Sequence, residues 1–211
     1  MSKYKIKEIY LTLQGEGMQS GRPAVFCRFS GCNLWSGREV DREKAICNFC
    51  DTDFIGTDGE QGGKYNAADL AKKVRSLWRG PSQSSPYVVC TGGEPLLQLD
   101  FQLIDAFHSE GMEIGLETNG TIIPPVGIDW ICVSPKPNVE IKLTQGDELK
   151  LIFPQENMMP DQVEQWNFTY FFLQPMHNLD WEENTRKTVE YCLSNPQWRL
   201  SMQSHKYLGI N

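Results

Sequence analysis

The chain has 211 residues, enough for one good-sized core, and a single domain over residues 1–211 is the expectation. Its 20 Lys and Arg stand against 27 Asp and Glu, a formal net charge of −7, so the global basic field that grips a nucleic-acid duplex is absent. At 40% hydrophobic, 11% aromatic and 22% charged residues, the composition excludes a disordered tail and fits a folded globular domain.

No apolar run approaches the ~20 residues of a membrane span. Residues 1–10 alternate Lys and Glu with aliphatics and lack the apolar stretch of a signal peptide. A cytoplasmic location is expected, and in a reducing compartment metal ligation or catalysis outranks a disulfide framework for the seven cysteines. Cys27 alternates with Val25 and Phe29 and reads as a strand core residue. Residues 56–64 (GTDGEQGGK) read as a mobile surface loop. Asn66 then caps a helix with Leu70, Val74, Leu77 and Trp78 on its apolar face, ended by Gly80-Pro81.

The apolar run 87–90 leads into Thr91-Gly92-Gly93-Glu94-Pro95. Asp100 caps a second helix, with Leu103, Ile104 and Phe107 inward and Gly111 as its stop. Short apolar runs recur at 113–117, 130–133, 149–153 and 170–173, each followed by a polar or Gly/Pro turn. Asp180 with Glu183 forms a capping pair for a last helix carrying Val189, Cys192 and Leu193. Strand, loop, helix, strand is the alternation of a parallel α/β sheet. The segments 118–129 and 134–147 are too short for crossover helices. The fold class is therefore α/β, a reduced, partly open (β/α) barrel with shortened crossovers and its ligand site at the carboxyl ends of the strands.

Cys90 and Cys132, in apolar strand runs, and Cys192, on a helical face, read as small buried hydrophobes. Cys32, Cys47 and Cys50 differ, because they sit in polar, irregular sequence. Fourteen residues separate the first pair and two the second (Cys47-Asn48-Phe49-Cys50). A C-x-x-C turn lets two thiolates reach one metal centre, and the loop can return the third. Spacing alone leaves three readings open. One is a zinc knob completed by Cys27 or by His108, His177 or His205; another is a three-cysteine iron–sulfur cluster with one open iron; the third is no metal. The Gly92-Gly93-Glu94 run favours the cluster: paired glycines let a backbone approach a ligand, and the Glu94 carboxylate can take up an ammonium group.

Several blocks then fall in one order along the chain. They are Leu13-Gln14-Gly15-Glu16-Gly17, Arg28-Phe29-Ser30-Gly31-Cys32-Asn33-Leu34 and Cys47-Asn48-Phe49-Cys50-Asp51-Thr52. Thr91 to Pro95, Glu117-Thr118-Asn119-Gly120, Ser134-Pro135-Lys136 and Leu173-Gln174-Pro175-Met176 follow. Through these blocks, over essentially the whole chain, the sequence resembles the radical S-adenosylmethionine (SAM) superfamily. Within it, the sequence is similar to the 7-carboxy-7-deazaguanine synthase family of queuosine biosynthesis. The superfamily's usual loop has three residues between the first two cysteines, whereas this chain has fourteen; the family it resembles includes members with a lengthened loop.

The resemblance implies a fold of the radical SAM type with an extended cluster-binding loop at about 32–50. It implies a [4Fe–4S] cluster on Cys32, Cys47 and Cys50, and Mg²⁺ at Thr52. SAM would meet Phe49, Cys50, Asp51, Gly92, Gly93, Glu94, Glu117, Ser134, Pro135, Lys136, Gln174, Pro175, Met176 and His177. The implied substrate is 6-carboxy-5,6,7,8-tetrahydropterin, on Leu13, Gln14, Gly15, Glu16, Arg28, Thr91 and His205, with Arg28 at its carboxylate. The implied activity is a lyase that uses a 5′-deoxyadenosyl radical, loses ammonia and yields 7-carboxy-7-deazaguanine. A flavodoxin or ferredoxin donor and a homodimer also follow from the resemblance. Two other readings compete: a different radical SAM enzyme, such as an activase, and a non-catalytic zinc-binding module. On position alone, Arg28 is an exposed strand arginine and Thr52 a turn residue.

Overall fold

The computed structural model describes residues 3–81 and 84–210; Met1, at the start of the amino-terminal stretch read above, lies outside them. The described strands form one nine-stranded sheet, in the order β3-β1-β2-β4-β5-β6-β7-β8-β9, that does not close on itself. The strands are β1 (Tyr4–Leu13), β2 (Pro23–Phe29), β3 (Gly63–Tyr65), β4 (Tyr87–Gly92) and β5 (Glu113–Thr118). β6 (Trp130–Val133), β7 (Gln145–Phe153), β8 (Asn167–Pro175) and β9 (Trp198–Leu200) complete it. β1 pairs antiparallel with both β2 and β3, and every later pairing is parallel. The expected partly open α/β barrel is thus present.

Period-2 alternation assigns the two faces of this sheet. Val25, Cys27 and Phe29 of β2 share one core with Val88 and Cys90 of β4 and Ile114 and Leu116 of β5. Helices α1 (Ala67–Leu77) and α2 (Phe101–Ser109) cover it, through Leu70, Ala71 and Val74 and through Leu103, Ile104 and Phe107. A second core gathers Leu149, Leu151 and Phe153 of β7 with Leu173 of β8 and Trp198 of β9, beside α3 (Trp181–Ser194). The short helix α4 (Ser204–Leu208) ends the described chain. Full burial of each such apolar side chain contributes about 1.5–3 kcal/mol. The opposite face of the same strands carries the site, with α4 at its rim.

The Asn66 and Asp100 caps are present, each side chain accepting a backbone N–H three residues on, from Asp69 at 2.8 Å and from Leu103 at 3.2 Å. As the short connections require, no helix links β5 to β6 or β6 to β7 among the described residues. Other expectations need correction. The 56–64 segment is not a free loop, because Ile9 donates to the Glu60 carbonyl (2.7 Å) and Gly63 to Tyr65 form edge strand β3. Helix α1 stops at Leu77, before Gly80-Pro81, because Trp78 turns extended. Asp180 makes no side-chain cap and Glu183 pairs outward with Arg186; Asn178 accepts the Asp180 N–H instead, at 2.9 Å. Leu193 is 81% exposed, since α3 turns Asn184 and Thr188 inward.

Gly115 shows how tightly β4 and β5 are matched. A Cβ there would lie 2.1 Å from the Tyr87 hydroxyl and 2.7 Å from its Cζ. The Tyr87 ring is buried and covered by the Arg22 guanidinium 3.9 Å from its centroid, so it has nowhere to swing. Gly115→Ala is expected to destabilise by about 1–3 kcal/mol. That lowers Tm by about 2–4 °C per kcal/mol in a thermal melt followed by circular dichroism; an unchanged Tm would mean that the tyrosine yields.

Candidate active site

The face opposite α1 and α2 is concave, and its inward residues alternate with those of the core. Tyr10, Arg28, Thr91, Glu117, Cys132, Lys150, Ile152 and Gln174 line a cavity of about 430 Å³. Sheet register sets them side by side: Arg28 pairs with Thr91, Glu117 with Cys132 and Ile152 with Gln174. Loops at the carboxyl ends of the parallel strands supply the rest of the wall, where open parallel sheets hold ligands.

One wall is thiol. Cys32, Cys47 and Cys50 all line the cavity, with Phe49 between the last two. Cys32 follows Gly31, whose φ of 92° lies in the left-handed region. The Gly31 carbonyl accepts the Glu94 N–H at 2.9 Å, which joins the loop after β2 to the loop after β4. A Cβ on Gly93 would fall 2.3 Å from the Gly31 carbonyl oxygen and 2.8 Å from the Cys32 Cβ. The second glycine is therefore required for the close approach of two backbones. The two neighbouring thiols of the C-x-x-C turn split their pKa values, that of Cys50 down to about 6 and that of Cys47 up. Burial raises Cys32. Among the described residues no His, Cys, Asp and Glu side chains gather tightly enough to hold a single metal ion. The donor chemistry is soft, with three thiols on one cavity wall and a glycine cradle behind Cys32. That set fits an iron–sulfur group.

The floor is charged. Lys150 is 6% exposed, and its Nζ donates to Glu16 Oε2 at 2.6 Å and lies 3.5 Å from Glu117 Oε1. Gln174 and Gln203 donate to the other Glu16 oxygen at 3.2 and 3.0 Å. Gln14 and Thr91 donate to Glu117 at 2.9 and 3.2 Å. Burial alone would raise the Glu16 pKa; the Lys150 ammonium and the amide donors outweigh it and bring the pKa down to about 2. Burial would likewise discharge Lys150, and the Glu117 and Glu16 carboxylates reverse that and hold it protonated.

The loop after β1 is clasped to the carboxy-terminal segment. Gly17 donates to Ser201 Oγ at 3.0 Å, Ser204 donates its N–H to the Gly15 carbonyl at 3.0 Å, and His205 packs against Gly15. Gly17 sits at φ 64°, in the left-handed region, and a Cβ there would lie 1.9 Å from a Glu148 carboxylate oxygen, so a side chain would be strained and would displace Glu148. Lys206 ties α4 to Asp51 at 2.7 Å. Arg28 is not an exposed strand arginine: 17% exposed, it donates to Glu8 at 2.7 Å and to the Tyr10 hydroxyl at 2.9 Å.

Of the residues singled out from sequence, the structure brings Leu13, Gln14, Gly15, Glu16, Arg28, Asp51, Thr52, Thr91, Gly92 and Gly93 to this cavity. Glu117, Ser134, Lys136, Gln174, Pro175, Met176, His177 and His205 line it as well. Glu94 and Pro135 are buried outside the lining. The Glu94 carboxylate accepts from Leu96 N–H (3.0 Å), the Thr118 hydroxyl (2.8 Å) and Asn119 N–H (2.8 Å), so it locks the ends of β4 and β5 together. Sequence reasoning missed Lys150, Gln203, Lys206, Glu8 and Tyr10. Lys150 had a signal, a charge inside the apolar run 149–153 at the phase opposite to Leu149 and Leu151. Gln203 and Lys206 had none.

No protein-family model matches the sequence. The chain is 61% identical to the 7-carboxy-7-deazaguanine synthase of Caulobacter vibrioides over 98% of its own length and 99% of that protein. It is 58% identical to the 7-carboxy-7-deazaguanine synthase of Bradyrhizobium diazoefficiens, with the same coverage. Among solved structures, QueE from Escherichia coli superposes with a TM-score of 0.71 at 26% identity, covering 96% of this chain and 94% of that one. With this identity over nearly its full length and this open sheet, the chain belongs to the 7-carboxy-7-deazaguanine synthase family, radical SAM lyases of queuosine biosynthesis.

Proposed function

We propose that the cavity is where this single-domain chain converts 6-carboxy-5,6,7,8-tetrahydropterin to 7-carboxy-7-deazaguanine with loss of ammonia. The observation that carries this reading is the convergence of a thiol wall, a glycine-lined strand end and a charged floor on one concave face. Family membership implies an iron–sulfur cluster and SAM, and Cys32, Cys47 and Cys50 would hold the cluster. Bound together, those two groups supply hydrogen-abstracting radical chemistry.

The chain's own residues bind, orient and exclude water. Gly92 and Gly93 let SAM approach the backbone after β4, with Phe49, Asp51, Ser134, Lys136 and the 174–177 stretch around it. Glu94 supports this contact from behind, by holding the loop that carries the glycines. Glu16 and Glu117, kept in place by Lys150, offer acceptors to the N–H edge of the pterin beside Leu13, Gln14, Gly15 and Thr91. Arg28, aligned by Glu8 and Tyr10, takes the pterin carboxylate with His205 as a second partner. Thr52 would offer a hydroxyl to Mg²⁺, a hard ion suited to oxygen donors. A flavodoxin or ferredoxin in the cytoplasm supplies the electron, and the working form is a homodimer.

The test is anaerobic reconstitution with iron and sulfide, then SAM, a reductant, Mg²⁺ and the pterin, followed by mass spectrometry. Expected are 7-carboxy-7-deazaguanine and 5′-deoxyadenosine, both lost in Cys50→Ala; SAM cleavage that ignores the pterin overturns the substrate assignment. Arg28→Ala is expected to raise the pterin KM while SAM affinity, measured by calorimetry, holds; an unchanged KM removes Arg28 from the carboxylate.

Lys150→Met leaves two half-buried carboxylates without their counterion. Removing one member of such a pair costs up to about 3–5 kcal/mol of folding stability, so Tm should fall, and the pterin KM should rise because Glu16 and Glu117 lose the group that aligns them. In the native chain Glu16, with its pKa near 2, stays ionised through the neutral range, so its charge adds no pH dependence to binding there. Without the ammonium its pKa rises, and pterin binding in the variant should strengthen as pH increases. A flat pH profile with native KM would show that Lys150 does not govern these acids.

A further inference from the structure

The fourteen-residue insert between Cys32 and Cys47 is not a slack spacer. Leu34 and Trp35 turn back into the protein, 5% and 7% exposed, and Trp35 meets Phe54 edge-on at 5.6 Å. The Leu34 carbonyl accepts the Ile46 N–H at 3.1 Å, so the insert is pinned at both ends. Between them, the 3₁₀ turn Glu39–Lys44 presents Arg42. Its guanidinium carbon lies 4.2 Å from the Trp35 ring centroid. Nε and Nη2 fork onto Glu39 at 2.7 and 2.6 Å. Nη1 donates to two carbonyls of the C-x-x-C turn, Asn48 at 2.8 Å and Cys50 at 3.0 Å. The same cation lies within electrostatic reach of both the Cys47 and Cys50 sulfurs. Asp51 and Lys136 reach Cys50 as well.

We propose that Arg42 is a positioning residue for the cluster turn: its fork clamps the Asn48 and Cys50 carbonyls, and its fixed charge beside the two sulfurs raises the reduction potential of the bound cluster. Arginine suits both tasks. Its planar fork satisfies Glu39 and the two carbonyls at once while its face stacks on Trp35, and it stays charged at every working pH. A turn whose carbonyls are held delivers its thiols in one arrangement, and partners outside the ligand shell are what fix ligand geometry and tune the metal. A positive charge near the cluster stabilises its more negative, reduced form, so the electron is accepted at a higher potential. This inference goes beyond family membership and rests on Cys47 and Cys50 holding the cluster.

The test compares reconstituted wild type, Arg42→Met and Arg42→Lys. Two quantities are read: iron release to a ferrous chelator under anaerobic conditions, and the midpoint potential from the electron paramagnetic resonance signal of the reduced cluster. Arg42→Met is expected to release iron roughly tenfold faster, the low end for lost outer-shell partners, and to titrate at a more negative potential. Arg42→Lys keeps the charge but cannot fork, so it should restore the potential and not the retention. A merely structural role would move retention alone, in both variants. Native release rate and native potential in Arg42→Met overturn the proposal, and a potential equally lowered in Arg42→Lys overturns its charge component. If wild type itself takes up no iron, the cluster assignment fails, a result distinct from either.

Discussion

The structure depends on one constraint: a single open sheet must serve a hydrophobic core with one face and a polar ligand with the other. Strand residues alternate sides, so each strand carries two interleaved sequences. In β7, Leu149, Leu151 and Phe153 are core, while Lys150 and Ile152 line the cavity. In β2, Val25, Cys27 and Phe29 are core, while Phe26 and Arg28 face the cavity. Shifting β2 or β7 by one residue would put Arg28 or Lys150 under the helices and an apolar side chain in the site. The packing of the core thereby fixes which polar groups meet at the site.

Curvature turns this row of polar residues into a cavity. β5 and β7 are separated by β6, two strand spacings of ~4.8 Å each. Even so, Lys150 on β7 comes within 3.5 Å of Glu117 on β5, which a flat sheet would not allow for side chains standing upright. The pairing also needs its third member, Glu16, which belongs to no strand. That residue is delivered by the loop after β1, itself held by Ser201 and Ser204 from beyond β9. The two edge regions of the sheet therefore meet over its concave face without hydrogen-bonding to each other as strands. An open barrel closed by a clasp leaves the carboxyl ends accessible and still shields the floor.

What was legible in the sequence follows from the range of the interaction that makes each feature. The caps at Asn66 and Asp100 are local and readable, because the partner N–H lies three residues away. The absence of crossover helices after β5 and β6 was legible as plain length. The cap misassigned to Asp180 failed to a competitor just as local, the Asn178 side chain, which the capping pattern does not weigh. Strand β3 was invisible: its glycine-rich approach has the composition of a loop, and only pairing with β1 makes it a strand. At the site, the cysteines, glycines and short blocks were recognisable as types, whereas the Lys150–Glu16 pair joins residues 134 positions apart and is created by tertiary structure alone.

Glu94 shows why recognising a residue type does not establish its task. Its sequence context, after two glycines at a strand end, suggests a carboxylate offered to a cofactor. In the structure it has no exposed surface and accepts from Leu96, Thr118 and Asn119, with burial raising its pKa. A carboxyl so enclosed acts through what it holds. It fixes the turn after β4, where Gly93 must pass within van der Waals distance of Gly31 and Cys32. The glycines make the close approach sterically feasible, and the glutamate makes it rigid. The run Gly92-Gly93-Glu94 is thus one mechanical unit that joins the thiol wall to the cavity side of β4, and it requires those residue types in that order whether or not the carboxylate itself touches a ligand.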